Sequence, residues 1–267
     1  RSSDLTNLVT VDTVSPSTTV TSVALSADTA VNGQFNTDFI TVTAAQTVSG
    51  TLSANLLAGE TVYVSLDDGA TWQAANAASG QNTWSLATAS LQAGAHALKV
   101  KVSDAAGNDG AVYSASYQLD TTPPTATIVT AAFSQDTAAN GQTNQDFVTS
   151  VPAQNISGTL SASLGTDEKV FVSLNNGQSW QEAAVNGTAW RLDGVNLTGS
   201  NTLKVKVTDV AGNDGATYSQ AYVLDTTAPT APTVSLTTDS GGACVDSVEP
   251  LTRTEQRARS QLGGETS

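Results

Sequence analysis

The stretch VKVSDAAGNDG at residues 100–110 returns as VKVTDVAGNDG at residues 205–215, with two conservative changes. An eleven-residue match of this kind is implausible as a coincidence within one chain. It must therefore belong to a longer internal repeat, which has to be recognised first because it decides the architecture.

Further matched segments extend the repeat on both sides. VDTVSP at 11–16 returns as LDTTPP at 119–124 and LDTTAP at 224–229; ADTAVNGQFNTDF at 27–39 returns as QDTAANGQTNQDF at 135–147; VSGTLSA at 48–54 matches ISGTLSA at 156–162; and VYVSLDDGATW at 62–72 matches VFVSLNNGQSW at 170–180. The offset is 108 early in the unit (48 to 156) and 105 late (100 to 205), so a short deletion falls within the second copy, between these segments.

These matches divide the chain into segments. We predict a remnant of a preceding linker at 1–11, repeat 1 at 12–119, repeat 2 at 120–224, the start of a truncated third repeat at 225–240, and an atypical tail at 241–267. The tail is expected to be disordered or to form a short helix. The chain has no methionine, so we expect it to be a fragment of a longer protein.

Composition narrows the possible functions. The 267 residues include 10 Lys+Arg and 24 Asp+Glu, a net charge of −14. Nucleic-acid binding is not expected, because it requires basic stripes. The single cysteine, Cys244, excludes a disulfide framework within the repeats. No apolar run approaches the roughly 18 residues of a transmembrane helix, so membrane insertion is not expected.

The pattern within each repeat predicts strands and no helix. In repeat 1 the β-branched, alternating segments are Thr18–Leu25, Phe39–Thr43, Thr47–Ser53, Thr61–Leu66, Thr83–Ala87, His96–Asp104 and Val112–Leu119. Glycine-containing turns separate them, and Asn176-Gly177 is a hairpin signal. Seven or so short strands in about 105 residues predict an all-β, immunoglobulin-like antiparallel sandwich.

Large aromatic residues recur at fixed positions of the repeat. They are Trp72, Trp84, Tyr113 and Tyr117 in repeat 1, and Trp180, Trp190, Tyr218 and Tyr222 in repeat 2. We predict that they are large pieces of the core or its edge, with ligand stacking as the alternative.

The combination of LDTTAPT, the loop with Asp28 and Asp38, SGTL and V-x-D-x-A-G-N resembles the bacterial Ig-like domains of giant secreted adhesins. The resemblance covers residues 12 to 240. It implies tandem sandwiches arranged end to end as a rod, export by type I secretion, and Ca²⁺ at the interdomain junctions.

In an immunoglobulin topology, three acidic elements from two repeats should converge at one junction. They are Asp28 with Asp38, then Asp120, and then Asp209 with Asn213. Converging carboxylates repel unless a cation joins them, and Ca²⁺ takes six to eight oxygen ligands. Half-sites are expected from equivalent residues: Asp12, Asp104 and Asn108 on one side, and Asp136, Asp146 and Asp225 on the other.

Turn chemistry is an alternative role for some of these residues, because Asp and Asn bond to their own backbone in turns. Both roles stay open for Asp104, Asn108, Asp209 and Asn213. For the Asp28/Asp38 and Asp136/Asp146 pairs metal ligation is favoured, since a turn does not need both acids. Asp67, Asp109 and Asp214 are predicted to be solvated turn residues.

No motif indicates catalysis, and His96 has no counterpart in repeat 2. We therefore predict no catalytic residue and no cofactor besides Ca²⁺. The leading hypothesis is a monomeric stalk segment of a bacterial cell-surface or biofilm adhesin. Its partners would be neighbouring Ig-like repeats, and a host-surface or matrix ligand would bind elsewhere in the full protein. The alternative is a spacer or carbohydrate-binding module pair of a secreted polysaccharide-degrading enzyme, which an exposed, coplanar row of aromatic residues would favour.

Overall fold

The computed structural model describes residues 11–138 and 142–234. Repeat 1 contains strands β1 (Val20–Leu25), β2 (Ile40–Thr41), β3 (Ala45–Leu52), β4 (Thr61–Ser65), β5 (Gln73–Ala74), β6 (Thr83–Ser90), β7 (Gly94–Ser103) and β8 (Tyr113–Leu119), with a 3₁₀ turn at Val31–Gly33. Repeat 2 contains β9 (Ile128–Phe133), β10 (Val148–Thr149), β11 (Ala153–Leu160), β12 (Lys169–Ser173), β13 (Gln181–Asn186), β14 (Ala189–Asn196), β15 (Asn201–Thr208) and β16 (Tyr218–Leu224).

Among the described residues, both repeats belong to one compact unit that ends at residue 227, and residues 228–234 fall in a second unit. The described part of the second unit, residues 228–234, has no regular secondary structure. The predicted third repeat from residue 225 is thus described only as far as 234, and the predicted tail at 241–267 lies outside the described residues.

Repeat 1 is a two-sheet sandwich. One sheet has the order β1-β3-β6, and the other has the order β2-β8-β7-β4-β5. All neighbouring strands run antiparallel except β2 and β8, which are parallel. The parallel pair matters for the site, because it brings the end of the loop between β1 and β2 beside the end of β8, where repeat 2 begins.

Repeat 2 has the same strand succession, but its two sheets are joined. Strand β13 pairs with β12 through residues 181–183 and with β14 through residues 184–186. The eight strands therefore form one hydrogen-bonded array in the order β10-β16-β15-β12-β13-β14-β11-β9.

Each repeat has its own hydrophobic core, built from the inward-facing side chains that alternate along its strands. Trp84 and Trp190 lie in these cores with 3% and 1% of their surface exposed. Each indole lies against a glycine of the SGTL motif. A Cβ on Gly50 would lie 2.0 Å from the Ser22 carbonyl oxygen, and one on Gly158 would lie 1.9 Å from that of Thr130. The repeated glycine is thus required by close approach of the neighbouring strand.

The predicted all-β fold class is confirmed, and the predicted strands of repeat 1 match the observed ones within a few residues at most ends. Two differences stand out. The segment 39–43 is paired only at Ile40–Thr41, and the short strand β5 was not predicted. The hairpin signal is confirmed, because Asp68 and Asn176 both adopt a positive φ (63° and 59°) ahead of a positive-φ glycine. Among the described residues, no helix has the length and apolar character needed to span a membrane.

Candidate metal centre where the two repeats meet

The loop between β1 and β2 is held in place by buried polar side chains. The amide of Gln46, which is 3% exposed, accepts from the Ala27 N–H at 2.8 Å and donates to the Ala27 carbonyl at 2.9 Å. The Thr41 hydroxyl donates to the same carbonyl at 2.7 Å. The start of the loop is therefore fixed from inside the domain, and the acidic residue that follows has little freedom to move towards solvent.

Asp28 is buried with only 5% of its surface exposed. Its Oδ2 accepts a hydrogen bond from the Phe39 N–H at 2.9 Å, whereas its Oδ1 is buried without a partner. Burial raises the pKa of Asp28, and the nearby Asp38 charge adds to this, while the Phe39 hydrogen bond acts in the opposite direction. A buried carboxylate oxygen without a partner is costly unless a cation or another donor is present.

A second unpartnered oxygen lies in the same loop. Asn32 adopts a left-handed conformation with φ 58° and ψ 31°, and its Oδ1 is buried without a hydrogen-bond partner. Asp38 differs, because its two oxygens accept from the Asn36 side chain at 2.6 Å and the Ile40 N–H at 2.8 Å. The loop therefore contains two oxygens with unused acceptor capacity, on Asp28 and Asn32.

The other predicted ligands of this junction form a turn. Asp209 Oδ1 accepts from the N–H groups of Gly212 and Asn213, each at 2.9 Å. The Asn213 amide donates to Asp209 Oδ2 and to the Asp120 carbonyl, each at 2.9 Å. The side chain of Asp120 accepts from the Thr122 N–H at 2.9 Å. For Asp209 and Asn213 the structure shows the turn chemistry that the sequence left open beside metal ligation, and metal ligation by Asp120 stays a prediction.

The loop of repeat 1 lies directly against this turn of repeat 2. The Thr29 hydroxyl donates to the Ala211 carbonyl at 2.7 Å. Gly212, with φ 97°, faces the backbone of Ala30 so closely that a Cβ there would lie 2.6 Å from the Ala30 oxygen. The structure thus brings together the three predicted segments, around Asp28, at Asp120 and at 209–213.

The chemistry of the donors limits which metal could bind here. Within 11–138 and 142–234, no group of three His, Cys, Asp or Glu side chains lies close enough to hold a metal ion by itself. A site built on the Asp28 and Asn32 oxygens would need further oxygens from amides, carbonyls or water. Such mixed oxygen sets suit Ca²⁺ and do not suit zinc or copper.

The predicted half-sites repeat two features of the junction: the hydrogen-bonded turn seen at 209–213 and the buried carboxylate seen at Asp28. In repeat 1, Asp104 accepts from the Asn108 side chain at 2.8 Å, and Asn108 donates to the Asp12 carbonyl at 3.1 Å. The Asn108 hydrogen bond is the first cause of a lowered Asp104 pKa. In repeat 2, Asp136 is 3% exposed and its Oδ1 is buried without a partner.

Two further half-site residues behave like their counterparts. Asp146 accepts from Asn144 at 2.8 Å and from the Val148 N–H at 2.9 Å, as Asp38 does in repeat 1. Asp225 accepts from the Thr227 N–H at 2.9 Å, as Asp120 does from Thr122. Their role as metal ligands stays a prediction.

Asp109 and Asp214 are half exposed in their turns, in keeping with the prediction, and each has a partner that was not predicted. Both pair with a lysine: Asp109 accepts from Lys101 at 2.6 Å, and Asp214 accepts from Lys206 at 2.7 Å. The Lys101 hydrogen bond is the first cause of a lowered Asp109 pKa. Sequence reasoning missed these pairs because the partners lie eight residues apart on separate strands and turns, although both members recur at the 105-residue offset.

Asp67 does act in its turn, where it accepts from the Thr71 hydroxyl at 2.6 Å and the Thr71 N–H at 2.8 Å. These bonds, with the hydroxyl contribution largest, lower the pKa of Asp67 to about 2.

The aromatic residues occupy core and edge positions, as predicted. Tyr117 and Tyr222 are buried, and their hydroxyls donate to the carbonyls of Leu66 and Leu174 at 2.6 and 2.8 Å. Trp72 and Trp180 are partly exposed, and each is covered by a lysine: Lys101 Nζ lies 4.5 Å from the Trp72 ring and Lys206 Nζ 4.4 Å from the Trp180 ring.

The fold and the junction define a protein of tandem immunoglobulin-like β-sandwiches. Residues 13–121 match the family described as "Bacterial Ig-like domain". The resemblance is thereby confirmed, and the first repeat is a bacterial Ig-like domain. This assignment is consistent with a structural or adhesin-type role. No curated protein matched the chain.

The chain is similar to several solved structures at low identity. The fibronectin(III)-like modules of Clostridium thermocellum CbhA are 12% identical, with a TM-score of 0.41, covering 76% of this chain and 94% of that one. A tetra-tandem repeat from the extending region of a large adhesion protein is 18% identical, with a TM-score of 0.27, covering 79% and 50%. A 1.5-MDa bacterial ice-binding adhesin is 20% identical, with a TM-score of 0.32, covering 79% and 67%. The chain spans half of the extending-region fragment.

Proposed function

We propose that this chain is a stalk segment of a bacterial cell-surface or biofilm adhesin, exported by type I secretion and working outside the cell as a monomer. Its role is mechanical and non-catalytic: it holds a distal binding domain away from the cell surface. The observation that carries the proposal is the contact of Thr29 and Ala30 in repeat 1 with Ala211 and Gly212 in repeat 2. Two domains whose loops contact each other have a more fixed relative orientation than domains joined only by a flexible linker, and a stalk requires such a fixed orientation.

The proposal includes Ca²⁺ at the junction, held by Asp28 and Asn32 with help from Asp38. Two buried oxygens without partners, both in the loop between β1 and β2, support this assignment. When bound, Ca²⁺ would supply the positive charge that offsets the burial of the Asp28 carboxylate. The protein's own contribution is to hold the loop shape through Gln46 and the Thr41 hydroxyl.

The position of the tryptophans favours the stalk over a carbohydrate-binding module. Trp84 and Trp190 are buried, and Trp72 and Trp180 lie beneath lysine side chains. Among the aromatic residues that the structure describes, Phe35 is the one that is largely exposed, at 68%. A single exposed ring does not make the coplanar row that sugar stacking requires.

Small-angle X-ray scattering of the full chain tests the calcium-stiffened junction. We expect the maximum dimension and the flexibility to change when millimolar Ca²⁺ is replaced by excess EDTA, and to recover when Ca²⁺ is restored. Scattering profiles that superimpose in the two conditions would remove calcium from the proposal. Retention of the chain on insoluble polysaccharides would instead favour the carbohydrate-binding alternative.

A matched pair of variants localises the calcium effect. Asp28→Asn removes the buried charge at the junction, whereas Asp136→Asn removes the equivalent charge in the loop between β9 and β10 of repeat 2. We expect only Asp28→Asn to abolish the Ca²⁺-dependent change in scattering. Equal loss in both variants would show that the change does not arise at the junction.

A further inference from the structure

The two turns that opened the sequence comparison have the same internal structure. The Asp104 N–H donates to the Asn108 carbonyl at 3.1 Å, and the equivalent bond in repeat 2, from Asp209 to Asn213, is 3.2 Å. Each turn also contains a positive-φ glycine, and each asparagine side chain donates to the carbonyl of the aspartate that opens its repeat. The two turns, at 104–109 in repeat 1 and 209–214 in repeat 2, are therefore pre-formed in the same shape.

Within the described residues, the turn of repeat 2 is covered by the loop of repeat 1. Ala211 is fully buried at 0% exposure, because its carbonyl accepts the Thr29 hydroxyl and the backbone of Ala30 lies over Gly212. The hydroxyl is itself held in position, since it accepts from the Val42 N–H at 2.9 Å. The covering loop thus presents one oriented hydroxyl donor and one carbonyl that requires a glycine opposite it.

No described residue covers the equivalent surface on the turn of repeat 1. Ala106, the counterpart of Ala211, is exposed, and no hydrogen bond between described residues ends on its carbonyl. No described residue lies within 4 Å of the position that a Cβ on Gly107 would take. The backbone needed to receive a threonine hydroxyl and its neighbouring carbonyl is nevertheless in place.

We infer that the 104–109 turn is the receiving half of a repeat-to-repeat interlock, and that its occupant is the Asp-Thr-Ala loop of another Ig-like repeat joined in tandem ahead of repeat 1. The inference rests on the proposed stalk function, and it names the contact that aligns successive repeats. The contact uses a hydroxyl, two backbone carbonyls and a glycine, so it does not depend on a metal. Both repeats of this chain carry the Asp-Thr-Ala sequence, at 28–30 and 136–138.

The test uses the natural chain and an extended chain in which residues 12–119 are duplicated in tandem ahead of repeat 1. Gly107→Ala in the second, downstream copy of residues 12–119 probes the new junction, because the first copy precedes it. Gly107→Ala in the first, upstream copy is the control, because no other copy of the repeat precedes its turn. Both glycines have the same positive φ, so backbone strain is common to the two variants. Hydrogen exchange of the Asp28–Gly33 loop in the preceding copy reports on the contact.

In the extended chain, the downstream Gly107→Ala should raise exchange in that loop about tenfold, as loss of one hydrogen bond with its packing predicts. The upstream variant should leave it unchanged. In the natural chain, Gly212→Ala should raise exchange in the loop at Asp28–Gly33 and Gly107→Ala should not. Thr29→Val, which keeps the shape but removes the hydroxyl that bonds to both Ala211 and Val42, should act in the same direction as Gly212→Ala.

Equal exchange with and without the downstream Gly107→Ala would overturn the inference. Concentration-dependent self-association of the natural chain that Gly107→Ala abolishes would also overturn it, because the surface would then serve a separate molecule. Repeating the exchange with Ca²⁺ and with EDTA separates the two proposals. A contact sensitive to Gly107→Ala in both conditions supports the interlock even if scattering shows no calcium effect.

Discussion

The two repeats share one fold but differ in how their sheets are connected. In repeat 2, β13 has six residues and pairs with strands of both sheets. In repeat 1, β5 has two residues and pairs with β4 alone, and contact with the other sheet is limited to a bridge between Asn76 and Ser85. The same topology therefore tolerates either a joined or a nearly separate pair of sheets.

A change of loop length explains the difference. Ten residues separate Gln73 from Trp84, whereas eight separate Gln181 from Trp190. In repeat 2, Asn186 pairs with Ala189, so the hairpin has two loop residues with Gly187 at φ 61° in the first position, as a tight hairpin requires. The longer loop of repeat 1 instead turns back to bond with the Leu56 carbonyl through Gly80.

The largest expected effect tests whether the two cores are independent. Gly158→Ala should destabilise repeat 2 by about 3 kcal/mol or more, because the Cβ collides with the Thr130 backbone as well as Trp190. Gly50→Ala should do the same to repeat 1. Thermal unfolding followed by tryptophan fluorescence should show one repeat lost in each variant.

Gly199→Ala is the control for these variants, because nothing lies within 4 Å of its Cβ position. It should leave both transitions in place. Simultaneous loss of both repeats in Gly50→Ala or Gly158→Ala would show that the two cores unfold as one.

An intermediate effect should follow from exchanging the hairpins. Replacing residues 74–83 by residues 182–189 should extend β5 and join the two sheets of repeat 1, adding about 1 kcal/mol of stability through new hydrogen bonds. Amide hydrogen exchange should slow along the new strand. The reverse replacement in repeat 2 should make amide hydrogen exchange faster along β13. Hydrogen-exchange rates that are unchanged in both chimaeras would contradict the loop-length explanation.

The smallest effect concerns His96, which pairs with Asp68 at 3.0 Å in repeat 1 and is replaced by asparagine in repeat 2. The Asp68 hydrogen bond raises the pKa of His96 and lowers that of Asp68. The His96 contribution to stability is full below its ordinary value of 6.5 and is lost as the pH rises through the raised pKa. The Asp68 contribution is lost as the pH falls through the lowered pKa.

Repeat 1 should therefore lose stability as the pH rises above 6.5 and through the raised pKa of His96 while repeat 2 does not, and His96→Asn should remove that difference. Melting temperatures of the two transitions measure it. An unchanged pH dependence in His96→Asn would assign the effect to another group.

Much of the fold could be predicted from the sequence, because strands, turns and core positions are set locally. The alternation of residues 96–103 predicts a strand, and the recurrence of Trp84 as Trp190 predicts a core or edge position for both. The short strand β5 could not be predicted, because two residues carry no period and its pairing depends on the length of the following loop.

The sequence by itself determined the repeat, the all-β class and the acidic turns, because each depends on a local pattern of neighbouring residues that occurs in both repeats. Only the tertiary structure decided what those turns do. Asp209 and Asn213 close their own turn, while Asp28 and Asn32 keep buried oxygens without partners. The Thr29–Ala211 hydrogen bond joins residues 182 positions apart, and no local pattern encodes a contact that forms only after both domains have folded.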